Sequence, residues 1–479
     1  MTAGALLLCL ATPFVAALLI LLNHKRPTLI NTVNTVAPFI SLLALIWLAS
    51  LYNPAADFKV TLLDIVGNIG ITFSVEPLGL IFAGLVCVLW PVSSLYAMTY
   101  MYQNNLPRTT HFFACYSLAI GSALGIAFAD NLLTLFIFYE ILSFSTYPLV
   151  VHSRTSEALK AGWLYLLTLV GASALFLLTA IIWIGYVAGS LDFEKGGILP
   201  GYTSAMETTI LLLLVVFGTT KAAIMPLHRW LPSAMVAPVP VSALLHAVAV
   251  VKAGVFTIMK IVVYTFGVDT LTGINTDWLV YLAGFTILAA SVIALKQVQL
   301  KKLLAYSTIS QLSYIILGVA ILHPLALSGA ALYIVAHGFA KITLFFAAGA
   351  IYTVKGFSRI RELDGIGHTM PWTMGLFTIS SLSIIGMPPL IGFTSKWFLL
   401  EGAVASGSYV AIVVLVTGSV LSAAYLLPII HRAFFRPRLS LDNDEAPLVM
   451  RIAMLVPTLT CVLLFFYSDQ IIALIGGLL

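Results

Sequence analysis

Apolar runs of about twenty residues, broken only by short polar loops, recur from one end of this chain to the other. Each is long enough to cross a bilayer as a helix. Lipid offers the backbone no water, so a spanning segment must close its hydrogen bonds internally, which predicts a helix in every run. Fourteen spans are read, near 3–22, 30–52, 76–98, 111–129, 132–151, 160–188, 207–225, 239–265, 278–295, 303–322, 326–352, 371–399, 408–430 and 448–475. Composition agrees: only 9% of the 479 residues are charged and the mean hydropathy is +1.07, against about 25% charged in a soluble domain. The predicted fold class is therefore an all-α polytopic membrane protein forming one bundle. Ala3–Leu22 lacks a basic leader and is followed by His24-Lys25-Arg26, so it reads as the first span and not as a signal peptide. Val60–Val75 alternates apolar and polar residues around Gly67-Asn68, which predicts a β-hairpin on the outer surface.

The position of the cations matters more than the net charge of +5. With the N-terminus outside, sixteen of the 23 lysines and arginines fall in inner loops and only Lys59 and Lys195 in outer ones. That is the positive-inside pattern, and it predicts both termini outside. The inner cations include Arg108, Arg154, Lys301, Lys302, Arg436 and Arg438. No basic stripe interleaved with aromatics suggests nucleic acid. Cys9, Cys87, Cys115 and Cys461 lie inside apolar runs without metal spacing and read as small buried hydrophobes.

The remaining five cations are Lys221, Lys252, Lys260, Lys341 and Lys396, and all fall within spans. A lysine at mid-span costs about 2.5–3.5 kcal/mol on insertion scales. Pairing or an aqueous interior must offset that cost. Glu140 is the one acidic residue deep in a span, and it can lock two helices or set the proton affinity of a nearby lysine. Unit charges 4 Å apart at an effective dielectric near 20 interact by about 4 kcal/mol, which changes proton occupancy by about three orders of magnitude. A small movement of Glu140 could therefore load or unload Lys221.

His337 and Lys341 are four apart and share a helical face. An imidazole beside an amine can relay protons, since histidine titrates near neutrality and has two nitrogens. Ser307, Gln311 and Tyr314 form a polar stripe on the preceding span. Lys252 sits among small neighbours, whereas His246, six residues earlier, reads more readily as a hydrogen-bonded structural histidine. Lys260 is about six residues from the outer surface and can snorkel there. His228 follows Pro226 and can cap an entry path or anchor at the headgroups. The loop cluster Arg359, Arg361, Glu362, Asp364 and His368 reads as solvated surface or a partner contact.

Two spans carry breakers beside a lysine. Gly218-Thr219-Thr220-Lys221 precedes Pro226, and Gly386-Met387-Pro388-Pro389 precedes Lys396. Proline removes a backbone donor, and the freed carbonyls need water or polar side chains, so such a break lines a hydrated cavity. An internal repeat is also present. Asn131-Leu132-Leu133 leading to Glu140 matches Lys302-Leu303-Leu304 leading to Gln311, and Ala158-Leu159 with Leu164-Tyr165 matches Ala326-Leu327 with Leu332-Tyr333. Five helices separate the copies, so the second unit is inverted, as in many transporters. The predicted division is 1–110, an N-terminal three-helix segment; 111–265 and 278–430, two inverted five-helix units; and 446–479, a C-terminal helix.

No Walker A loop, H-E-x-x-H, Cys/His metal spacing or G-x-G-x-x-G occurs. No cofactor, metal or catalytic site of its own is expected. An ion gradient or another subunit must drive the chain.

Asp130-Asn131-Leu132-Leu133 through Tyr139-Glu140, Lys221 through Pro232, and Ala237 through His246 to Lys252-Ala253-Gly254 resemble the antiporter-like subunit family. That family supplies membrane subunits of respiratory complex I, of energy-converting membrane-bound hydrogenases and of Mrp-type Na+/H+ antiporters. The resemblance spans nearly the whole chain. It implies fourteen helices in two inverted units, each with a broken helix. It also implies a Glu140–Lys221 pair, a central Lys252, a His337/Lys341 step and a terminal Lys396. Lys396 stands where the middle complex I pump subunit usually has glutamate, so a D-type Mrp antiporter protein or a hydrogenase-type homologue fits better. The expected function is an ion-translocating subunit moving H+, with Na+ or another monovalent cation in exchange. Its partners would be other membrane subunits, homologous ones included, and lipid. Its expected place is the inner (plasma) membrane of a prokaryote. The alternatives are a proton-pumping subunit of a redox-driven complex and a transport-inactive scaffold.

Overall fold

A computed structural model describes residues 2–53, 58–66, 69–437 and 444–476. Its longer helices, in chain order, are α1 (Thr2–Leu22), α2 (Pro27–Ser50), α3 (Pro77–Gln103), α4 (Thr109–Ala127), α5 (Leu132–Val150), α6 (Ser156–Ala188), α7 (Ala205–Gly218), α8 (Val239–Phe266), α9 (Asp277–Leu295), α10 (Leu300–Ala320) and α11 (Pro324–Lys355). They are followed by α12 (Pro371–Ile385), α13 (Ile391–Ala405), α14 (Tyr409–Phe435) and α15 (Leu448–Phe466). Twelve helices among the described residues are long and apolar enough to cross a membrane. The shorter apolar helices α7 and α12 stand where the two broken spans are expected, so every run read as a span is helical in whole or in part. The chain is an all-α polytopic membrane protein.

Proline in the first helical turn starts α2, α3, α11 and α12, where its missing donor costs nothing. Asn131 caps α5 by accepting from Thr134 N at 2.7 Å and donates Nδ2 to Gly70 O at 2.9 Å. That one side chain ties the helix to the hairpin. The hairpin pairs β1 (Lys59–Val66) with β2 (Ile69–Ser74) antiparallel; the expected Gly67-Asn68 turn lies outside the described residues, as does Arg438.

The cation-bearing loops gather on one face. A cavity of about 560 Å³ there is lined by Arg108, His152 and Lys301 among others. Asp364 is bonded by Arg432 at 2.8 Å, and Glu362 accepts from the Ser358 and Arg359 amides at 2.8 Å. The loop cluster read as solvated surface or a partner contact is thus partly an internal brace. On the opposite face, the β2 end bridges Ala129 and Asn131 bridges Asp192. Asp130 is paired with Lys59 at 3.2 Å there, and burial pushes its carboxyl up from the usual range.

The centre of the bundle is α8, α10 and α11. Every residue of α8, and Ala326–Ile351 of α11, is buried. α2, α6 and α14 keep broad apolar faces outward. Cations in α8 and α11 therefore meet protein and not lipid.

Candidate functional site

The first break holds Lys221. α7 stops at Gly218, one tight turn spans Thr220–Ala222, and Ala223 takes a left-handed φ of 56°. Gly254 of α8 touches this turn: a Cβ there would fall inside the van der Waals radius of Ala222 N and the Lys221 carbonyl carbon. The lysine is wholly buried. Its Nζ donates to Tyr139 O at 2.8 Å and Ser143 Oγ at 2.7 Å, and sits 3.1 Å from the Tyr139 ring centroid. The Tyr139 hydroxyl in turn accepts from Lys221 N at 3.2 Å.

Glu140 is next to those groups in sequence, yet no ion pair with Lys221 within 4.0 Å exists among the described residues. Both carboxylate oxygens are buried without a hydrogen-bond partner. The pair implied by the resemblance is adjacent but open.

Lys252 and His337 meet across the core. Lys252 Nζ lies 2.7 Å from His337 Nδ1, and both residues are fully buried. One helical turn beyond His337, Lys341 Nζ donates to Ser307 Oγ at 2.8 Å. The Ser307 hydroxyl donates to the Tyr425 oxygen at 3.0 Å, and Tyr425 donates to Ser422 Oγ at 3.2 Å. Gln311 Nε2 donates to both Ser422 and Tyr425, and its Oε1 accepts from Tyr333. These hydroxyls run in one direction from the lysine, the arrangement a proton relay needs.

The second break holds Lys396. Its Nζ donates to Ile384 O at 2.9 Å, Ile385 O at 3.2 Å and Ser419 Oγ at 3.2 Å, with the Tyr314 ring centroid 4.6 Å away. The Tyr314 and Tyr333 rings meet tilted, with centroids 5.9 Å apart, and Tyr333 lies 6.2 Å from the His337 ring. Polar and aromatic groups thus run from His337 to Lys396.

The secondary candidates fare differently. His246 lies in a π-helical turn (Leu244–Val248), which rotates it toward α11, where its ring is 4.7 Å from Phe345. Both its nitrogens are buried and without a protein partner among the described residues. His228 packs 6.3 Å from Tyr306, on the cation-rich face. Lys260 does not snorkel. It is fully buried, donates to Ala129 O at 2.6 Å and pairs with Glu76 at 3.3 Å, under Phe193. The count of residues to the surface ignored the loop that folds over it.

Sequence reasoning did not single out Tyr139, Ser143, Tyr333, Ser419, Ser422 or Tyr425. A signal existed for the last three: hydroxyls at three-residue intervals in the apolar α14. Tyr425→Phe removes the hydroxyl between Ser307 and Ser422. Proton uptake by vesicles carrying the assembled complex is expected to fall about tenfold, the effect of roughly one net hydrogen bond on a barrier. Wild-type uptake would exclude this hydroxyl from the route.

The family described as "NADH:quinone oxidoreductase/Mrp antiporter, TM" matches residues 129–422, which contain Glu140, Lys221, Lys252, His337, Lys341 and Lys396. The N-type subunit of the NADH-quinone oxidoreductase of Desulforudis audaxviator is 32% identical over 422 residues, covering 84% of this chain and 83% of that protein. The D-type subunit of the Na(+)/H(+) antiporter of Alkalihalophilus pseudofirmus is 28% identical over 429 residues, covering 88% and 85%. The Mrp complex from Dietzia sp. contains a chain of the same fold, with a TM-score of 0.88 over 100% of this chain and 97% of that one, at 21% identity. On this match across its central helices, and on its likeness to a relative aligned over most of both lengths, the chain belongs to the NADH:quinone oxidoreductase/Mrp antiporter transmembrane family.

Proposed function

We propose that the chain is an ion-translocating subunit of a multisubunit membrane complex and conducts protons along Glu140, Lys221, Lys252, His337, Lys341 and Lys396. The observation that carries this reading is the contact of Lys252 with His337 and its continuation through Ser307, Tyr425, Gln311 and Tyr333. Buried amines this costly persist only where something uses or offsets them. Lys221, Lys252, Lys341 and Lys396 are held by neutral acceptors and not by fixed counter-charges, so each can gain or lose a proton without stranding a partner. Polar atoms left unpartnered at His246, His337 Nε2 and Thr219 mark where water completes the route.

Glu140 is the switch. When its carboxylate closes on Lys221 it holds a proton on the amine, and when it withdraws the proton moves toward Lys252. Neighbouring subunits set which state prevails. The cation-rich face is cytoplasmic in this reading, both termini lie outside, and the membrane is a prokaryotic plasma membrane. Segments 111–265 and 278–430 form the two inverted units, each with one break. Na+ or another monovalent cation is exchanged, in keeping with the antiporter relative.

Glu140→Gln tests the switch. Proton uptake in vesicles of the assembled complex is expected to fall about tenfold or more, the effect of losing about 1.4 kcal/mol of coupling, with Glu140→Asp restoring part of it. Unchanged uptake would refute the switch. A second reading, a redox-driven pump subunit with the same path, is favoured by the similarity to a quinone oxidoreductase subunit. The identity of the co-purifying subunits separates the two.

A further inference from the structure

The carbonyls at the second break are arranged around a cation that the chain itself supplies. α12 ends at Ile385, and Gly386 turns the backbone out of the helix with a φ of 95°. The last carbonyls of a helix have no partner within it and carry the negative end of its dipole. Here Ile384 O and Ile385 O converge with Ser419 Oγ of α14 on one point, and the Tyr314 ring faces it from α10. The Lys396 stem runs back over Gly386 to bring its ammonium there, with Cδ 3.0 Å from where a Cβ would sit. Three oxygens and an aromatic face around a monovalent charge exceed what capping a helix requires. Half-helix carbonyls are also a recurrent way for transporters to hold cations at a break.

We infer that the cage of Ile384 O, Ile385 O and Ser419 Oγ is a monovalent-cation site in which the Lys396 ammonium is a tethered competitor. This rests on the proton-path reading and deepens it. When Lys396 has passed on its proton the neutral amine no longer holds the cage, and a free cation can take its place. Oxygens spaced for an ammonium suit an ion of ammonium size, such as K+ or Tl+, better than a smaller one. The rest of its shell comes from water at the break, where Met387 is 48% exposed. Proton and cation then exclude each other at one point, which is the minimum an exchanger needs.

The test uses the purified complex with Lys396→Met, which empties the cage of its ammonium while keeping the stem. The expected result in Tl+ is density within bonding distance of Ile384 O and Ile385 O, absent from the wild-type complex. Adding Ser419→Ala is expected to weaken Tl+ binding about tenfold, the loss of one ligand. If Lys396→Met does not assemble, Lys396→Gln serves in its place. No density in either variant, or equal density in the wild type, overturns the inference. Proton uptake by Lys221→Ala vesicles separately tests the path, so failure of the cage and failure of the path are told apart.

Discussion

Lys221→Ala is expected to lower proton uptake by at least about 100-fold, equal to a barrier rise of about 2.7 kcal/mol, while the complex assembles as before. Glu140 apart, no described group beside that ammonium can take a proton in its place. The groups around its ammonium are a carbonyl, a serine hydroxyl and a tyrosine ring. Glu140 would keep its buried position but face no amine. Assembly is spared because no closed ion pair depends on this lysine; the carbonyl and hydroxyl it leaves can turn to water. Lys221→Arg sharpens the test. A guanidinium keeps the positive charge but holds its proton at any working pH. It is therefore expected to be as silent as alanine. The measurement is dye quenching in vesicles with size-exclusion chromatography of the same preparation. Uptake restored by arginine would mean that the site needs charge and not titration.

The file of lysines was legible because charge in an apolar span is rare and costly, so each member stands out without any knowledge of the fold. Both breaks were legible for a related reason: glycine and proline beside a lysine leave carbonyls that something must satisfy. The spans themselves follow from length. Hydroxyl partners were another matter. Ser143 and Ser145 look alike in the sequence of α5, yet Ser145 bonds back to Leu142 O within its own helix while Ser143 receives Lys221. A serine in a span can always choose its own i−3 or i−4 carbonyl, and only the neighbouring helix decides otherwise. Tyr425 was hidden in the same way.

No periodicity in the sequence announces the π-helical turn and the irregular residue, Ala249 with φ −115°, that lie between His246 and Lys252. One misreading has a geometric cause. Lys260 was given to the surface by counting along its own helix. Three-dimensional cover comes from Phe193 and from the Ala129 carbonyl, two residues beyond α4, segments that distance along the chain cannot bring together. Glu76, at the entrance to α3, becomes its counter-charge for the same reason.

Gly254→Ala changes no charge, yet it is expected to suppress uptake at least about tenfold and to lower the melting temperature of the complex. The added methyl would meet the backbone of the Lys221–Ala222 turn, not the movable end of a side chain. Overpacking of this kind costs about 1–3 kcal/mol. The strain can be relieved only by shifting the turn, which would lengthen the bonds from Lys221 to Tyr139 and Ser143. Proton transfer depends steeply on such distances, so a displacement too small to unfold the bundle still opens the route. Gly84→Ala in α3 is the control, because nothing lies within 4 Å of a Cβ there. It is expected to conduct and melt like wild type or slightly better, alanine being the stronger helix former. Wild-type uptake in Gly254→Ala would show that Lys221 is positioned by something other than its contact with α8, and the role given to that glycine would fail with it.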